Sequence, residues 1–179
     1  TIALTGHTDS AIRDKILSMP VVDYVPKESP AALEYVVRML HRLERNPHIG
    51  VLIVDDSRVV RVKLIHHLKD HYDVREESDG EAAWQTLVVD HSIKAVISDL
   101  QMPKLNGYEL LERVRTSKLR RLQQIPFIMV SGEETEEERA KALAMGVSDF
   151  VTKGAGSTEL LTRLNNLLSL THAKENLEA

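Results

Sequence analysis

From Ile49 onward the sequence alternates short apolar runs with longer amphipathic segments, and this alternation restricts the fold more than any other feature. The apolar runs are continuous, as in strands that a parallel sheet buries on both faces. Repeated strand–helix–strand units imply a parallel sheet with right-handed crossovers and helices on both faces. The sequence therefore predicts a doubly wound α/β domain with five strands: Ile49–Val54, Val74–Glu77, Ala95–Ser98, Ile125–Val130 and Val147–Val151.

Capping residues indicate where the helices between these strands start. Ser57 is a candidate N-cap for the first helix after Ile49. Ser78 with Glu81, and Asn106 with Glu109, have the spacing of a capping box. An acid-rich helix and a leucine-rich last helix complete the alternating pattern.

Polar residues stand where four of the predicted strands end. The first strand ends in Asp55 and Asp56, the third in Asp99, the fourth in Ser131 and the fifth near Lys153. Because parallel strands bring their carboxyl ends to one edge of a sheet, we expect these side chains to share a crevice. Each residue alone has an ordinary explanation as a helix cap, a turn residue or a surface charge. Their joint spacing favours a shared reactive site over these separate explanations.

Three carboxylates in one crevice repel one another and need a compensating charge. A divalent cation such as Mg²⁺ would supply that charge, because it prefers oxygen ligands. Lys153 offers a positive charge for a phosphate or carboxylate oxygen, and Ser131 offers a hydroxyl group. With these partners, an aspartate nucleophile has the groups that formation of an aspartyl-phosphate requires.

The start of the chain repeats a later part of it. Thr1–Lys27 aligns without a gap on Phe127–Lys153, at an offset of 126, and ten aligned positions are identical. A helix is predicted from Ser29 to Arg45, and Pro47 then indicates a short, stiff connection to the next strand. Residues 1–46 are therefore predicted to be a partial βαβα copy, the back half of a domain that occurs complete further on.

Met102, Pro103 and Gly107 follow Asp99 closely, and with the strand-end residues they resemble the receiver domain of two-component response regulators. The resemblance covers residues 48–170 and implies the flavodoxin-like receiver fold, with residues 171–179 starting a helical linker to an output domain. It also implies that Asp99 accepts a phosphoryl group from a histidine kinase or a phosphotransfer protein. Self-dephosphorylation of the acceptor would follow from the same chemistry.

The same resemblance assigns roles to further residues. Mg²⁺ would be held by three carboxylates and one backbone carbonyl, those of Asp55, Asp56, Asp99 and Gln101. Ser131 and Phe150 would form a switch pair, with the hydroxyl turned toward the phosphoryl group and the ring turned inward. Gln101 and Glu133 occupy positions where the family tunes dephosphorylation.

The sequence departs from the family after the conserved lysine. Gly154 follows Lys153 where proline is usual, which predicts a more mobile loop around the lysine. In the partial copy, the switch hydroxyl, the aromatic residue and the lysine are matched by Thr5, Tyr24 and Lys27. The acidic half of the site has no match there, so residues 1–46 are not expected to hold Mg²⁺ or to be phosphorylated.

Two classes of function remain open from the sequence. The first is a phosphorylated switch that controls a downstream output, and the second is a docking or dimerisation module that never turns over phosphate. A receiver pair followed by a helical tail resembles the front of diguanylate cyclases that end in a GGDEF domain, although kinase and DNA-binding outputs also follow receivers. The resemblance further implies a homodimer through the face made by the fourth helix, the fifth strand and the fifth helix.

Composition narrows the partners. A net charge of −4 argues against general nucleic-acid binding, and no apolar run approaches the ~20 residues of a membrane span. We therefore expect a cytoplasmic protein, and the missing initiator Met suggests an excised fragment. Trp84 is assigned to packing, and the pair His67 and His71 to a solvated face rather than a metal site. A solvated loop is expected for the basic cluster Arg113, Arg115, Lys118, Arg120 and Arg121.

Overall fold

The computed structural model describes residues 2–5, 23–26, 48–132, 135–154 and 156–178. The chain divides into two compact units, Thr1–Asn46 and Pro47–Ala179. In the first unit, strands β1 (Ile2–Thr5) and β2 (Asp23–Pro26) pair in parallel. The helix predicted from Ser29 to Arg45 lies outside the described residues.

The second unit is built on a five-stranded parallel sheet, which confirms the predicted fold class. The strand order is β4-β3-β5-β6-β7, so the chain winds outward in both directions from the centre. The strands are β3 (Gly50–Val54), β4 (Asp73–Glu77), β5 (Ile93–Asp99), β6 (Phe127–Ser131) and β7 (Asp149–Thr152).

Helices cover both faces of this sheet. They are α1 (Arg58–Leu68), α2 (Gly80–Val89), α3 (Gly107–Arg115), α4 (Arg120–Gln123), α5 (Glu136–Ala144) and α6 (Ser157–Glu178). Successive residues of β3 point to opposite faces: Val51 packs with buried residues of α1 and α6, and Leu52 with those of α2, α3 and α5. The continuous apolar pattern of the strands follows from this burial on both faces.

The pairing of β1 with β2 has the same register as that of β6 with β7. Ile2 lies opposite Asp23, and Ile128, its counterpart at an offset of 126, lies opposite Asp149. The correspondence continues along all four residues of each strand pair. The repeat seen in the sequence therefore extends to strand pairing in the described part of the first unit.

The helix starts agree only partly with the predicted caps. The capping box of Asn106 and Glu109 is confirmed at the start of α3. The prediction for Ser78 is wrong, because Asp79 occupies the N-cap of α2 and its side chain accepts from the helix backbone. Ser57 does occupy the N-cap of α1, but its side chain makes no capping hydrogen bond.

The solvated loop predicted for the basic cluster is also wrong for three of its arginines. Arg115 donates from Nη1 to the carbonyl of Ile125 at 2.9 Å and from Nε to that of Gly146 at 2.9 Å. Arg121 donates to carbonyls at the end of α2. Arg113 lies over the ring of Trp84, which packs on the core as predicted. These guanidinium groups connect separate segments of the fold, since each contacts carbonyl groups or an aromatic ring of another element.

Two further predictions concern metals and membranes. Within the described ranges, the only group of side chains able to hold a metal is an acidic one, and neither His67 nor His71 belongs to it. Among those same residues, no helix combines the length and the apolar character needed to cross a membrane.

Candidate functional site

The strand ends converge as the sequence predicts. Asp99 is the last residue of β5, the central strand, and Asp55 and Asp56 follow its neighbour β3. On the other side, Ser131 ends β6 and Lys153 follows β7. The sheet order thus sets an acidic half of the site on one side of Asp99 and a hydroxyl and a lysine on the other.

The acidic half is compact. One carboxylate oxygen from each of Asp55, Asp56 and Asp99 lies within 4.8 Å of the others. Asp55 and Asp99 are only 2% and 6% exposed, whereas Asp56 is open to solvent. Backbone amides hold one oxygen of each buried carboxylate: the amide of Ser57 donates to Asp55 Oδ1, and that of Leu100 to Asp99 Oδ1, both at 2.8 Å.

Lys153 joins the two buried carboxylates. Its Nζ lies 3.0 Å from Asp55 Oδ2 and 2.9 Å from Asp99 Oδ2. Its backbone amide donates to the carbonyl of Ser131 at 2.7 Å, which anchors the start of the loop to β6. The lysine therefore reaches the acidic cluster although Gly154 follows it, and the peptide bonds of the described residues are all trans.

Burial and neighbouring charges together set the pKa values of Asp99 and Lys153. Burial raises the pKa of Asp99, and the hydrogen bond from Lys153 offsets this rise only in part, because the charge of Asp55 adds to it. Burial acts to lower the pKa of Lys153, but its hydrogen bonds to Asp99 and Asp55 outweigh burial and raise it. The lysine thus remains charged, while the ionised form of Asp99 is held at a cost in free energy.

The loop after Asp99 is tied down by a close backbone approach. The amide of Gly107 donates to the carbonyl of Leu100 at 3.0 Å. A Cβ atom at Gly107 would lie 2.3 Å from the carbonyl oxygen of Asp99, so only glycine fits there. Lys104 secures the same loop, because its Nζ lies 2.6 Å from Oδ2 of Asp79.

The predicted switch pair lies beside this cluster. Ser131 is buried, and Phe150 is 3% exposed within the apolar cluster that also contains Met129. The ring of Phe150 therefore already has the inward position in this structure. Glu133 lies outside the described residues, as does Lys27 of the first unit, whereas Gln101 lies exposed in the loop after β5.

Sequence reasoning missed one residue of the site. Arg61, in the first turns of α1, donates from Nη1 to the carbonyl of Asp55 at 2.8 Å and to that of Asp56 at 3.3 Å. The one available signal was its position four residues after Ser57, on the helix that the acidic pair precedes.

The donor set suits a hard divalent cation. Three carboxylates offer negatively charged oxygens, the ligands that Mg²⁺ and Ca²⁺ prefer. Because one oxygen of Asp55 and one of Asp99 are held by backbone amides, the second oxygen of each is directed at the positive charge of Lys153. The cluster can thus bind a cation and an anionic group side by side.

Comparison with known proteins identifies a family and several relatives. The family model described as "Response regulator receiver domain" matches residues 51–165. A chemotaxis protein CheY homolog of Campylobacter jejuni is 34% identical over 120 residues, which cover 66% of this chain and 91% of that protein. Response regulator SaeR of Staphylococcus aureus is 32% identical over 120 residues, covering 66% of this chain and 50% of that protein.

Solved structures show the same likeness. A two-component system response regulator/GGDEF domain protein is 33% identical with a TM-score of 0.70, covering 96% of this chain and 69% of that one. A response regulator receiver protein from Pseudomonas putida is 32% identical with a TM-score of 0.62, covering 66% of this chain and 97% of that one.

Proposed function

Because this chain belongs to the response regulator receiver family, we propose that it is a phospho-accepting signal receiver in which Asp99 is the acceptor. Receiver domains take phosphoryl groups from histidine kinases, so the donor would be the phosphohistidine of a kinase or of a phosphotransfer protein. The observation that carries the proposal is the position of Asp99: it ends the central strand, and Asp55 and Lys153 flank its carboxylate.

The contacts of Asp99 indicate which oxygen would react. Oδ1 accepts from the amide of Leu100, whereas Oδ2 faces Lys153. Oδ2 would therefore form the bond to phosphorus while the bond between phosphorus and the histidine nitrogen breaks. Lys153 would then pair with a phosphoryl oxygen, and the Ser131 hydroxyl would donate to another. Positioning and charge neutralisation are what this transfer chiefly requires.

A divalent cation belongs to the same proposal. We infer that the carboxylates of Asp55, Asp56 and Asp99 and the backbone carbonyl of Gln101 hold Mg²⁺, because the three carboxylates lie close together at the strand ends. When bound, the ion would neutralise negative charge on the transferring phosphoryl group.

We propose that phosphorylation is transmitted to the output through one surface of the second unit. Strand β7 is an edge strand of the sheet, with α5 on one face and α6 on the other, so these elements form a continuous side. Helix α6 runs for 22 residues, and Leu170 and Leu177 near its end are 61% and 87% exposed. We expect a second copy of the chain to cover this side after phosphorylation. A GGDEF-type diguanylate cyclase is the proposed output of the full protein, by analogy with the solved relative.

The proposed organisation has three parts. Residues 1–46 form a partial receiver copy, 48–170 the complete receiver and 171–179 the start of the linker. The shared register of β1–β2 and β6–β7 supports the first assignment, and the division of the chain after Asn46 supports the boundary. We expect this protein to work in the cytoplasm, where its phosphodonors would be.

Phosphorylation by acetyl phosphate in the presence of Mg²⁺ tests the acceptor assignment. We expect one base-labile phosphate per chain in the unchanged protein and none in Asp99→Asn. Asp70→Asn is the matched control, because Asp70 is an exposed carboxylate beyond the end of α1. Full labelling of Asp99→Asn would refute the assignment, and a protein that takes up no phosphate would favour the docking module instead.

A further inference from the structure

We propose that Arg61 is a positioning residue for the acidic cluster, which holds the backbone of Asp55 and Asp56 so that both carboxylates face the cation. This inference rests on the proposed function, because it concerns the same Mg²⁺ site. Neither the strand ends nor the pattern of the family motif identified this residue; the contacts of its guanidinium group do.

The guanidinium group of Arg61 reaches two separate elements. Its Nη1 donates to the carbonyl oxygens of Asp55 at 2.8 Å and Asp56 at 3.3 Å. Its Nε donates to Oε2 of Glu76, on β4, at 2.9 Å. The side chain of Arg61 is 14% exposed and its bond to the Asp55 carbonyl is partly buried, so that bond is stronger than it would be at an open surface.

Arg61 contacts the backbone carbonyls of Asp55 and Asp56 and does not occupy their carboxylate oxygens. A peptide unit is planar, so fixing the direction of a carbonyl restricts the direction of the side chains next to it. Asp55 has other supports, because its amide donates to the carbonyl of Glu77 and its side chain accepts from Ser57. Asp56 is exposed, and the bond from Arg61 to its carbonyl ties it to the fold. Asp56 is therefore the ligand that should depend most on Arg61.

The geometry also explains why arginine is required. Two different nitrogens of one rigid planar group bind the loop carbonyls and Glu76 at the same time. A lysine carries its three donors on a single nitrogen, so it lacks the fixed spacing between two nitrogens that lets arginine face the loop carbonyls and Glu76 together. Glu76 in turn compensates the positive charge, which would otherwise oppose a cation nearby. Arg61→Lys should therefore behave like a loss of function at the cation site, although it conserves the charge.

Titration with Mg²⁺ tests this role directly. We expect Arg61→Gln and Arg61→Lys to raise the Kd for Mg²⁺ about 10-fold, as measured by isothermal titration calorimetry. This is the lower end of the usual loss of affinity when an outer-shell partner of a metal site is removed. Labelling by acetyl phosphate should need correspondingly more Mg²⁺ but reach the unchanged protein's final level at saturation. Glu76→Gln should give a smaller shift in the same direction, and it keeps the test open if an Arg61 variant folds poorly.

Arg113→Gln is the matched control, because Arg113 also pairs with a glutamate at 2.7 Å but lies between α2 and α3, with no contact to the acidic loop. It should leave the Kd for Mg²⁺ unchanged. If Arg61→Gln lowers the melting temperature but binds Mg²⁺ with the unchanged Kd, its role is structural and the inference is refuted. If the unchanged protein binds no Mg²⁺, the proposed function fails as well, so the two failures are distinguishable.

Discussion

Replacing Gly107 by alanine should disturb the end of β5 at Asp99. A Cβ atom there would lie 2.3 Å from the carbonyl oxygen of Asp99 and 3.0 Å from Cα of Leu100. Both neighbours are backbone atoms, so no side-chain rotation relieves the contact. The gap must widen from 2.3 Å to at least 3.0 Å, which moves either the start of α3 or the backbone of Asp99.

The expected cost follows from this displacement. Overpacking in a well-packed site costs about 1–3 kcal/mol, and the upper end applies because backbone must move. The better helix propensity of alanine offsets at most about 1 kcal/mol of that. For a unit of this size, a net loss of about 2 kcal/mol lowers the melting temperature by about 6–8 °C.

Thermal unfolding and labelling by acetyl phosphate together check the reasoning. Gly107→Ala should melt at the lower temperature and take up phosphate more slowly, because the carboxylate of Asp99 has moved relative to Lys153. The matched control is Gly132→Ala, since no atom lies within 4 Å of the Cβ position at Gly132. If Gly107→Ala melts within about 2 °C of the unchanged protein and is labelled at the same rate, the close approach does not constrain the site.

Two further predictions concern the acceptor and the output. The pKa of Asp99 is raised in the folded protein, so the folded protein loses stability as the pH rises from the unfolded pKa of Asp99 through its folded pKa. Asp99→Asn should therefore gain stability relative to the unchanged protein at pH 7 but not at pH 4. Urea unfolding at both pH values measures the difference in stability, and an equal difference at both would contradict the prediction. Beryllofluoride with Mg²⁺ should shift the protein toward a dimer in sedimentation, and Ser131→Ala should reduce that shift. The reason is that a ligand moves a monomer–dimer equilibrium only through differential affinity for the two states. An unchanged monomer–dimer ratio at all concentrations would remove dimerisation as the output.

The parts of the fold that the sequence predicted are those set by local patterns. The strands were predictable because β3 and β5 are buried on both faces, which requires continuous apolar residues. Asp99 and Lys153 were predictable because each directly follows or ends such a run. Their meeting then follows from parallel pairing alone, without knowledge of any side-chain contact.

The contacts that sequence reasoning missed depend on register between distant segments. Arg61 meets Glu76 only because β4 lies beside β3, and on an amphipathic helix such an arginine is indistinguishable from a solvated one. The cap of α2 was misplaced by one residue for a similar reason. A Cβ atom at Gly80 would lie 2.2 Å from the carbonyl of Leu105, so tertiary packing fixes where that helix starts. Asp79, rather than Ser78, is then left at the cap.

The division of the site between strands also bears on the repeated segment. The three carboxylates lie at the ends of β3 and β5, whereas β6 and β7 bring the hydroxyl and the lysine. Residues 1–27 match only the second of these halves, and β1 and β2 pair in the register of β6 and β7. Charge neutralisation without an acceptor cannot form an aspartyl-phosphate, because the nucleophile itself is missing. We therefore expect phosphotransfer by this chain to depend on Asp99 of the second unit.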